Sequence, residues 1–232
     1  MDINWKKLSK TCRPYVAMPV HDGRLEHESA KGLLGFKEIC ITAKIEHDIN
    51  FLASEALVSR ARNNLVASFM SQPEKYTHLI FVDSDMEFEG AHVFQLLNYD
   101  LDVVSGLASK KVLPLQPAPV FSQIEGDVVK HPTKNLIQAD VVGGAFLCIK
   151  RSVIKKMTES YPELKYKNRQ LPELDHHSYG LFDPINEGNK SYGEDNSFCK
   201  RWQGIGGKIW VDPKMSIGHI GRYNYKIGKL IF

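Results

Sequence analysis

Two aspartates are the first residues whose spacing indicates chemistry. Asp83 ends an apolar run that begins at Thr77, and Asp85 follows two residues later. The length and β-branched content of the run predict a strand buried on both faces. In extended backbone residues i and i+2 point the same way, so both carboxylates should face one point beyond the strand. Acidic loops and helix N-caps share this pattern, but the buried strand favours a site for a hard cation such as Mg²⁺.

A second acidic pair, Glu194 and Asp195, follows Gly193 at the start of a predicted helix. Acidic side chains in the first turn of a helix interact favourably with the helix dipole, which is one explanation. The other is that one of them acts as a general base at the rim of a site. The local sequence leaves both explanations open.

His219 is the third candidate, and glycines lie close on both sides of it in the segment SIGHIG. Glycine permits close backbone approach and unusual torsions, so we expect a turn here. A lone histidine is more often a structural residue than a ligand. As an imidazole ligand beside two carboxylates, it would favour Mn²⁺ over Mg²⁺.

Other polar and glycine positions accompany these candidates. Arg60, Arg62 and Asn63 lie on a predicted helix, and for Arg60 a solvated face is sufficient explanation. Gly143 and Gly144 separate two predicted strands and indicate a close approach by a ligand or by backbone.

Strands and helices alternate in the first half of the chain. Hydrophobic spacing predicts strands over residues 15–20, 38–45, 77–83 and 102–107, and helices over residues 54–71 and 90–98. The second half is less regular, with strands predicted over 118–124, 136–142, 145–150 and 208–212 and helices over 151–160 and 194–203. The polar segment 161–190 is expected to be a functional loop or lid. This order predicts one α/β domain over residues 1–232, with a Rossmann-like, mostly parallel mixed sheet flanked by helices.

The bulk properties exclude several classes of protein. The net charge of +3 over 232 residues is too small to indicate a nucleic-acid-binding surface. The four cysteines show no CxxC spacing, so neither a disulfide framework nor a zinc site is expected. No stretch approaches the roughly eighteen apolar residues of a membrane span. We therefore expect a protein of the cytoplasm (of the host, if the source is a virus).

Five stretches, in order along the chain, resemble GT-A-type glycosyltransferases, especially small ones from large viruses, phages and bacteria. They are residues 17–20 (AMPV), 59–64 (SRARNN), 78–85 (HLIFVDSD), 141–146 (VVGGAF) with Arg151, and 193–201 (GEDNSFCKR) through Asp212 and Pro213 to 219–221 (HIG). Each stretch is short, but together they span almost the whole chain. The resemblance implies a GT-A-like domain with a nucleotide-binding half at about residues 13–110 and an acceptor-side half at about 111–232.

The resemblance also implies a set of residues that bind a nucleotide sugar. The set consists of Pro19, Val20, His21, Asp22, Arg62, Asn63, Asp83, Ser84, Asp85, Gly143 and Gly144. The first four resemble the base pocket, and the arginine and asparagine resemble residues near the base, ribose or phosphates. The two glycines resemble the loop beneath the acceptor.

The same resemblance implies which residues bind a metal ion and which residue acts as the general base. Asp83 would face the ribose and the metal, while Asp85 and His219 would hold a Mn²⁺ or Mg²⁺ ion. Glu194 and Asp195 match the acidic pair from which inverting members take their general base, and Asp195 is the preferred candidate.

These expectations describe transfer of a sugar from a UDP- or GDP-sugar to a hydroxyl of a carbohydrate or glycoconjugate. The chain lacks the Q/RxxRW motif of processive synthases, so non-processive transfer is expected. A nucleotidyltransferase acting on sugar phosphates stays open, although it would carry a glycine-rich basic loop where this chain has HDGR at residues 21–24. A non-catalytic carbohydrate- or nucleotide-binding module also stays open. A further alternative is that the acceptor is a modified base in DNA, which the small net charge disfavours.

Overall fold

The computed structural model describes residues 3–231, so Met1, Asp2 and Phe232 of the predicted domain lie outside the described residues. The helices are α1 (Trp5–Thr11), α2 (His27–Thr42), α3 (Val58–Ser71), α4 (Gly90–Tyr99), α5 (Arg151–Ser160) and α6 (Glu194–Gly204). The first strands are β1 (Pro14–Val20), β2 (Asp48–Ala53), β3 (His78–Val82), β4 (Met86–Glu87), β5 (Val103–Ala108), β6 (Val120–Phe121) and β7 (Gln123–Ile124). The others are β8 (Asp127–Val128), β9 (Ile137–Val141), β10 (Phe146–Lys150), β11 (Ile185–Glu187), β12 (Lys190–Tyr192), β13 (Trp210–Ile220) and β14 (Asn224–Tyr225).

One large sheet organises the chain, in the order β2-β1-β3-β10-β5-β13-β9-β6, with β4 and β14 paired to β13. β1 runs parallel to β2 and β3, and β13 runs parallel to β5. β10 is antiparallel between β3 and β5. Strands β1, β2, β3, β5 and β13 therefore end at one edge, which we call the carboxyl edge. The predicted architecture, a mostly parallel mixed sheet flanked by helices, is confirmed.

Both faces of the central sheet are covered, which explains the continuous apolar runs in the sequence. All five residues of β3 are buried. Ile80 and Val82 belong to a core that includes Phe36 of α2 and other apolar residues of α2 and α4. Leu79 and Phe81 belong to a second core, which includes residues of α3, α5 and α6. Strands buried on both faces lose the alternation of polar and apolar residues, as the sequence of β3 shows.

The strand predicted over residues 38–45 is wrong, because this segment belongs to α2 and the turn after it. The buried residues of α2 include Ser29, Leu33, Phe36 and Cys40, which recur at helical spacing. Near the end of the helix, Ile39 and Ile41 alternate as residues of a strand would, although the side chain of Ile41 is exposed. The second strand is instead β2, a partly exposed edge strand whose weak apolar pattern escaped detection.

The last strand is longer than predicted and places His219 differently. β13 continues past Asp212, through an irregularity between Asp212 and Ser216, to Ile220. His219 therefore lies on a strand, paired with Met86 of β4 and Tyr225 of β14, and not in a turn. Among residues 3–231, no helix has the length and apolar character needed to cross a membrane.

The segment 161–190 is irregular, as predicted, but much of it is anchored. Leu181 and Phe182 are fully buried, and the ring of Phe182 stacks on Phe198 of α6 with centroids 4.6 Å apart. Asn168 donates its side-chain amide to the Asn64 carbonyl oxygen at 2.9 Å. These contacts hold the middle of the segment against α3 and α6.

Arg151, part of the stretches that resemble GT-A enzymes, fixes the carboxyl end of α3. Its guanidinium donates to the carbonyls of Phe69 at 2.8 Å and Tyr76 at 2.6 Å, and lies 4.3 Å over the Phe69 ring. Carbonyls at the end of a helix lack partners within the helix, and a cation there satisfies them. Arg151 thus sets the position of the helix that carries Arg62.

Candidate active site

The two aspartates after β3 are held at the carboxyl edge by backbone hydrogen bonds. The Asp83 N–H donates to the Ala145 carbonyl at 2.9 Å, and the Asp85 carbonyl accepts from Ile220 N–H at 2.7 Å. The carbonyl of Ser84 accepts from Glu26 N–H at 2.9 Å. Elements distant in the chain thus fix the backbone of this turn, which is what a ligand site requires.

Arg62 joins the two acidic pairs. Its side chain is only 2% exposed, and Nη2 donates to Asp83 Oδ2 at 3.1 Å. On its other side, Nε lies 3.6 Å from Asp195 Oδ1 and 3.7 Å from Glu194 Oε1. Burial would lower the pKa of Arg62, but these acids, Asp83 first, outweigh burial and raise it. The guanidinium is therefore a permanent cation that holds three acids together.

Gly144 makes room for this cluster. A Cβ at position 144 would lie 2.6 Å from Arg62 Cζ and 2.8 Å from Asp195 Oδ1. A Cβ at the neighbouring Gly143 would lie 3.7 Å from Asp195 Oδ2, an ordinary contact. The close approach expected at the glycine pair is therefore with this chain's own guanidinium and carboxylate, at the second glycine.

Gly144→Ala is expected to destabilise the protein by roughly 1–3 kcal/mol, because both groups that it would strike are packed in place. Gly143→Ala is the matched control and should change the free energy of unfolding by less than about 0.5 kcal/mol. Urea unfolding of both variants measures the difference. Equal losses in the two variants would show that Arg62 does not need this space.

Asp195 has the properties of a general base. Burial raises its pKa to about 7, with Arg62 acting in the opposite direction and the nearby Glu194 and Asp83 adding to the rise. Oδ1 of Asp195 is buried without a hydrogen-bond partner. A carboxylate with a pKa near neutrality is suited to general base catalysis.

The raised pKa makes a prediction about stability. Folding raises the pKa of Asp195 above its unfolded value of 3.8, so the native state is penalised as the pH rises through this interval to about 7. Between pH 5 and pH 8 without metal, wild type should lose roughly 2–3 kcal/mol of unfolding free energy relative to Asp195→Asn.

The control is Asp100→Asn. Hydrogen bonds from Lys7 and Lys150 lower the pKa of Asp100 to about 2, so its contribution is complete above pH 4. Its stability difference from wild type should stay constant from pH 5 to pH 8. A constant difference for Asp195→Asn as well would contradict the raised pKa.

Asp85 and His219 form the second part of the site. His219 Nε2 lies 3.5 Å from Asp85 Oδ1, and its Nδ1 lies 3.0 Å from the Ser109 carbonyl oxygen. Because a carbonyl only accepts, Nδ1 carries a proton, and Nε2 is the ring nitrogen that faces Asp85. Burial would raise the pKa of Asp85, but His219 and Lys111 outweigh it and lower the pKa to about 2.

These residues suit a divalent ion. Oδ1 of Asp83 and Oδ1 of Asp85 are buried and accept no hydrogen bond, although Arg62 Nη2 lies 3.1 Å from the first and His219 Nε2 lies 3.5 Å from the second. A ring fixed through Nδ1 to a carbonyl is the usual state of a ligating histidine. Oxygen and imidazole ligands together suit Mn²⁺, with Mg²⁺ as the alternative.

The three expected ligands are not equally placed. Asp85 and His219 face each other, whereas Asp83 faces Arg62, and the three do not form a compact cluster among the described residues. The cluster whose ligand atoms lie within 4.8 Å of one another is Glu26, His27 and Glu28 at the start of α2, and it is largely exposed. Exposed acids often cluster without binding a metal, and we assign it no role.

A cavity of about 250 Å³ adjoins the paired aspartates. Six expected residues line it: Pro19, Val20, His21, Asp83, Ser84 and Asp85. The sequence did not predict the other lining residues, which are Leu52, Glu55, Ala56, Val58 and Ala61. Leu52 lies on β2, the strand that was missed, Glu55 and Ala56 lie in the connection after it, and Val58 and Ala61 lie on α3. Glu55 is buried and pairs with Arg60 through two hydrogen bonds, of 2.6 and 2.7 Å.

Of the other five expected residues, Arg62, Gly143 and Gly144 lie at the acidic cluster described above, and Asn63 and Asp22 make separate contacts. Asn63 is not among the residues that line this cavity; it is 2% exposed and donates to Asp183 Oδ1 at 2.7 Å. Its carbonyl oxygen accepts from Phe182 N–H at 2.8 Å, so the amide anchors the irregular segment. Asp22 accepts from Arg24 N–H at 3.1 Å and shapes the turn after β1.

A larger cavity, of about 660 Å³, lies beside α4 and β13. Its one carboxylate, Asp212, already accepts from the Tyr99 hydroxyl at 2.7 Å and from Lys214 N–H at 2.8 Å. It holds none of the four acids described above. We therefore take the carboxyl edge, and not the larger cavity, as the candidate active site.

The sequence matches no protein-family model and no curated protein. The fold is similar to the crystal structure of A197 from STIV, with a TM-score of 0.53, 18% identity, and coverage of 90% of this chain and 86% of that chain. A 4-diphosphocytidyl-2C-methyl-D-erythritolsynthase from Anaerococcus prevotii DSM 20548 matches 73% of this chain and 84% of its own (9% identity, TM-score 0.38). A nucleoside-diphosphate-sugar pyrophosphorylase from Vibrio cholerae RC9 matches 88% and 74% (11% identity, TM-score 0.39). At these identities the first similarity concerns the fold alone, and the other two are too distant to support any inference.

Proposed function

We propose that this protein is a metal-dependent, non-processive glycosyltransferase, which moves a sugar from a nucleoside diphosphate to a hydroxyl of a carbohydrate or glycoconjugate with inversion. One observation carries the proposal. Arg62 links Asp83, beside the small cavity, to Asp195, a carboxylate with a raised pKa. One buried cation, Arg62, thus holds both Asp83, a candidate metal ligand, and Asp195, the candidate general base.

The donor would bind in the cavity beside the paired aspartates. Pro19, Val20 and Leu52 offer apolar surface for a base, and Asp83 and Asp85, which line the same cavity, are where a ribose and diphosphate would meet a metal. Asp85 and His219 would hold the ion, with Asp83 as a further oxygen ligand. When bound, the ion would neutralise the negative charge that develops on the leaving diphosphate.

Asp195 would take the proton from the acceptor hydroxyl as that oxygen attacks the anomeric carbon. Sugar transfer develops positive charge at this carbon, and the surrounding carboxylates favour it. Arg62 would position Asp195 and Asp83 rather than contact the diphosphate, because its guanidinium is buried and every described neighbour is one of the acids, a carbonyl or an aromatic ring. Glu194 would support the same guanidinium.

A panel of UDP- and GDP-sugars, each with Mn²⁺, tests the donor. A ligand that binds the native state raises the unfolding temperature, so the correct donor should do so only when Mn²⁺ is present. Incubation with that donor and a glycan mixture should then release the nucleoside diphosphate. Binding without any turnover would support a non-catalytic module instead.

A further inference from the structure

Lys111 contacts the proposed metal site but was not indicated by the sequence. It lies in the loop after β5, and its Nζ is 2.5 Å from Asp85 Oδ2. His219 Nε2 lies 3.5 Å from the other oxygen of the same carboxylate. Asp85 is therefore already paired with a cation, on one of the two oxygens that a metal would use.

The loop that carries Lys111 has a fixed base and an open tip. At the base, Lys110 N–H donates to the Gln116 carbonyl at 2.9 Å, and Ser109 pairs with Pro117. At the tip, Leu113 has 65% of its surface exposed. A segment with few packed side chains moves at low cost in free energy, so the lysine can withdraw while the base of the loop stays in place.

The stem of Lys111 runs past Gly221. A Cβ at position 221 would lie 3.3 Å from Lys111 Cδ and 3.7 Å from its Cε. The absence of a side chain at Gly221 therefore leaves the space through which the lysine reaches Asp85. The contact depends on a path between two elements and is not a chance encounter of exposed side chains.

An ammonium and a divalent ion cannot share this carboxylate comfortably. Mg²⁺ binds carboxylate oxygens at roughly 2.0–2.1 Å. An ion on Asp85 Oδ1, which faces His219, and an ammonium on Oδ2 would therefore be close neighbours on one carboxylate and repel each other. Asp85 is partly shielded from water, so this repulsion is weakly screened. Lys111 therefore weakens binding of an ion at Asp85 for as long as it stays in place.

We propose that Lys111 is an exchangeable counter-ion, which neutralises Asp85 in the metal-free protein and is displaced to the donor diphosphate when the divalent ion binds. This inference rests on the proposed function. The displaced ammonium remains tethered at the rim of the cavity that Asp85 lines, within reach of an anionic ligand there. Lys111 thus opposes binding of the ion alone and favours binding of the ion together with the nucleotide.

Electron paramagnetic resonance of free Mn²⁺ measures the first effect without turnover. Without nucleotide, Lys111→Met should bind Mn²⁺ roughly 5–50-fold more tightly than wild type, because the competing cation is gone. Lys110→Met is the control for loss of one charge on the same loop and should bind as wild type does. Asp85→Asn should lose Mn²⁺ binding in either background.

Isothermal titration with UDP (and with GDP) at saturating Mn²⁺ measures the second effect. Here Lys111→Met should bind the nucleotide of the preferred donor about fivefold or more weakly, since a charge-assisted contact is lost. Opposite signs in the two titrations support the exchange. If Asp85→Asn loses Mn²⁺ but Lys111→Met binds it no more tightly than wild type, the exchange is overturned while the metal site stands. If Asp85→Asn binds Mn²⁺ normally, the proposed metal site itself is wrong.

Discussion

Asp195→Asn should lower kcat for sugar transfer by roughly 10²–10⁴-fold, the usual contribution of a general base. The amide keeps the size of the carboxyl group but cannot accept the acceptor's proton. Donor affinity should change by less than about threefold, because the base acts on the acceptor and not on the diphosphate. Steady-state kinetics with the preferred donor, together with a binding titration, separates the two quantities.

Glu194→Gln is the matched control, because Glu194 and Asp195 lie at similar distances from the Arg62 Nε atom. It should retain most of the turnover, with any loss shared between kcat and stability. If Glu194→Gln loses turnover and Asp195→Asn keeps it, the roles of the two acids are reversed. If both variants keep turnover, the proton acceptor lies elsewhere, and inversion by this acidic pair is wrong.

Asp85→Asn and His219→Ala should each weaken Mn²⁺ binding by roughly 10–100-fold and, with it, donor binding. Both variants remove an atom that faces the same point, since His219 Nε2 and Asp85 Oδ1 lie 3.5 Å apart. Nucleotide titrations with and without Mn²⁺ measure the effect. The signature differs from that of Asp195→Asn, in which donor binding is retained and turnover is lost.

Asp100→Asn controls for the loss of an aspartate from the surface, because Asp100 pairs with Lys7 and Lys150, which lie outside the site. It should bind Mn²⁺ and donor as wild type does. Normal Mn²⁺ binding by His219→Ala, with loss only in Asp85→Asn, would exclude the histidine from the ion. His219 would then be a residue that positions Asp85.

The elements that carry the acids could be predicted because each has a strong local signal. β3 is a run of apolar residues that ends at Asp83, and α6 begins with an acidic turn after Gly193. α2 was missed in part because a helix with exposed Ile41 on its outer face imitates an alternating strand near its end. β2 was missed because an edge strand that is half exposed has no continuous apolar run.

A residue of the candidate site could be predicted only where its neighbours in the sequence indicate its chemical role. Asp83 and Asp85 meet this condition, whereas the local sequence left the role of Asp195 open and the resemblance alone favoured it over Glu194. Lys111 does not, because its partner is 26 positions away and nothing periodic links the two loops. Arg62 shows the same limit of prediction from sequence. Its position on the helix is typical of solvated surface, but its side chain is buried and contacts three acids from two other segments.

The identity of the products tests the central claim most directly. Phosphorus NMR of wild type with Mn²⁺, the stabilising nucleotide sugar and acceptor should show the nucleoside diphosphate as the phosphorus-containing product, and proton NMR of the anomeric position should show the sugar on the acceptor in inverted configuration. Omission of the metal or the Asp195→Asn substitution should suppress both products. In a parallel sample with added pyrophosphate and no acceptor, formation of a nucleoside triphosphate from the nucleotide sugar and pyrophosphate, with release of the sugar phosphate, would identify a nucleotidyltransferase and contradict glycosyl transfer.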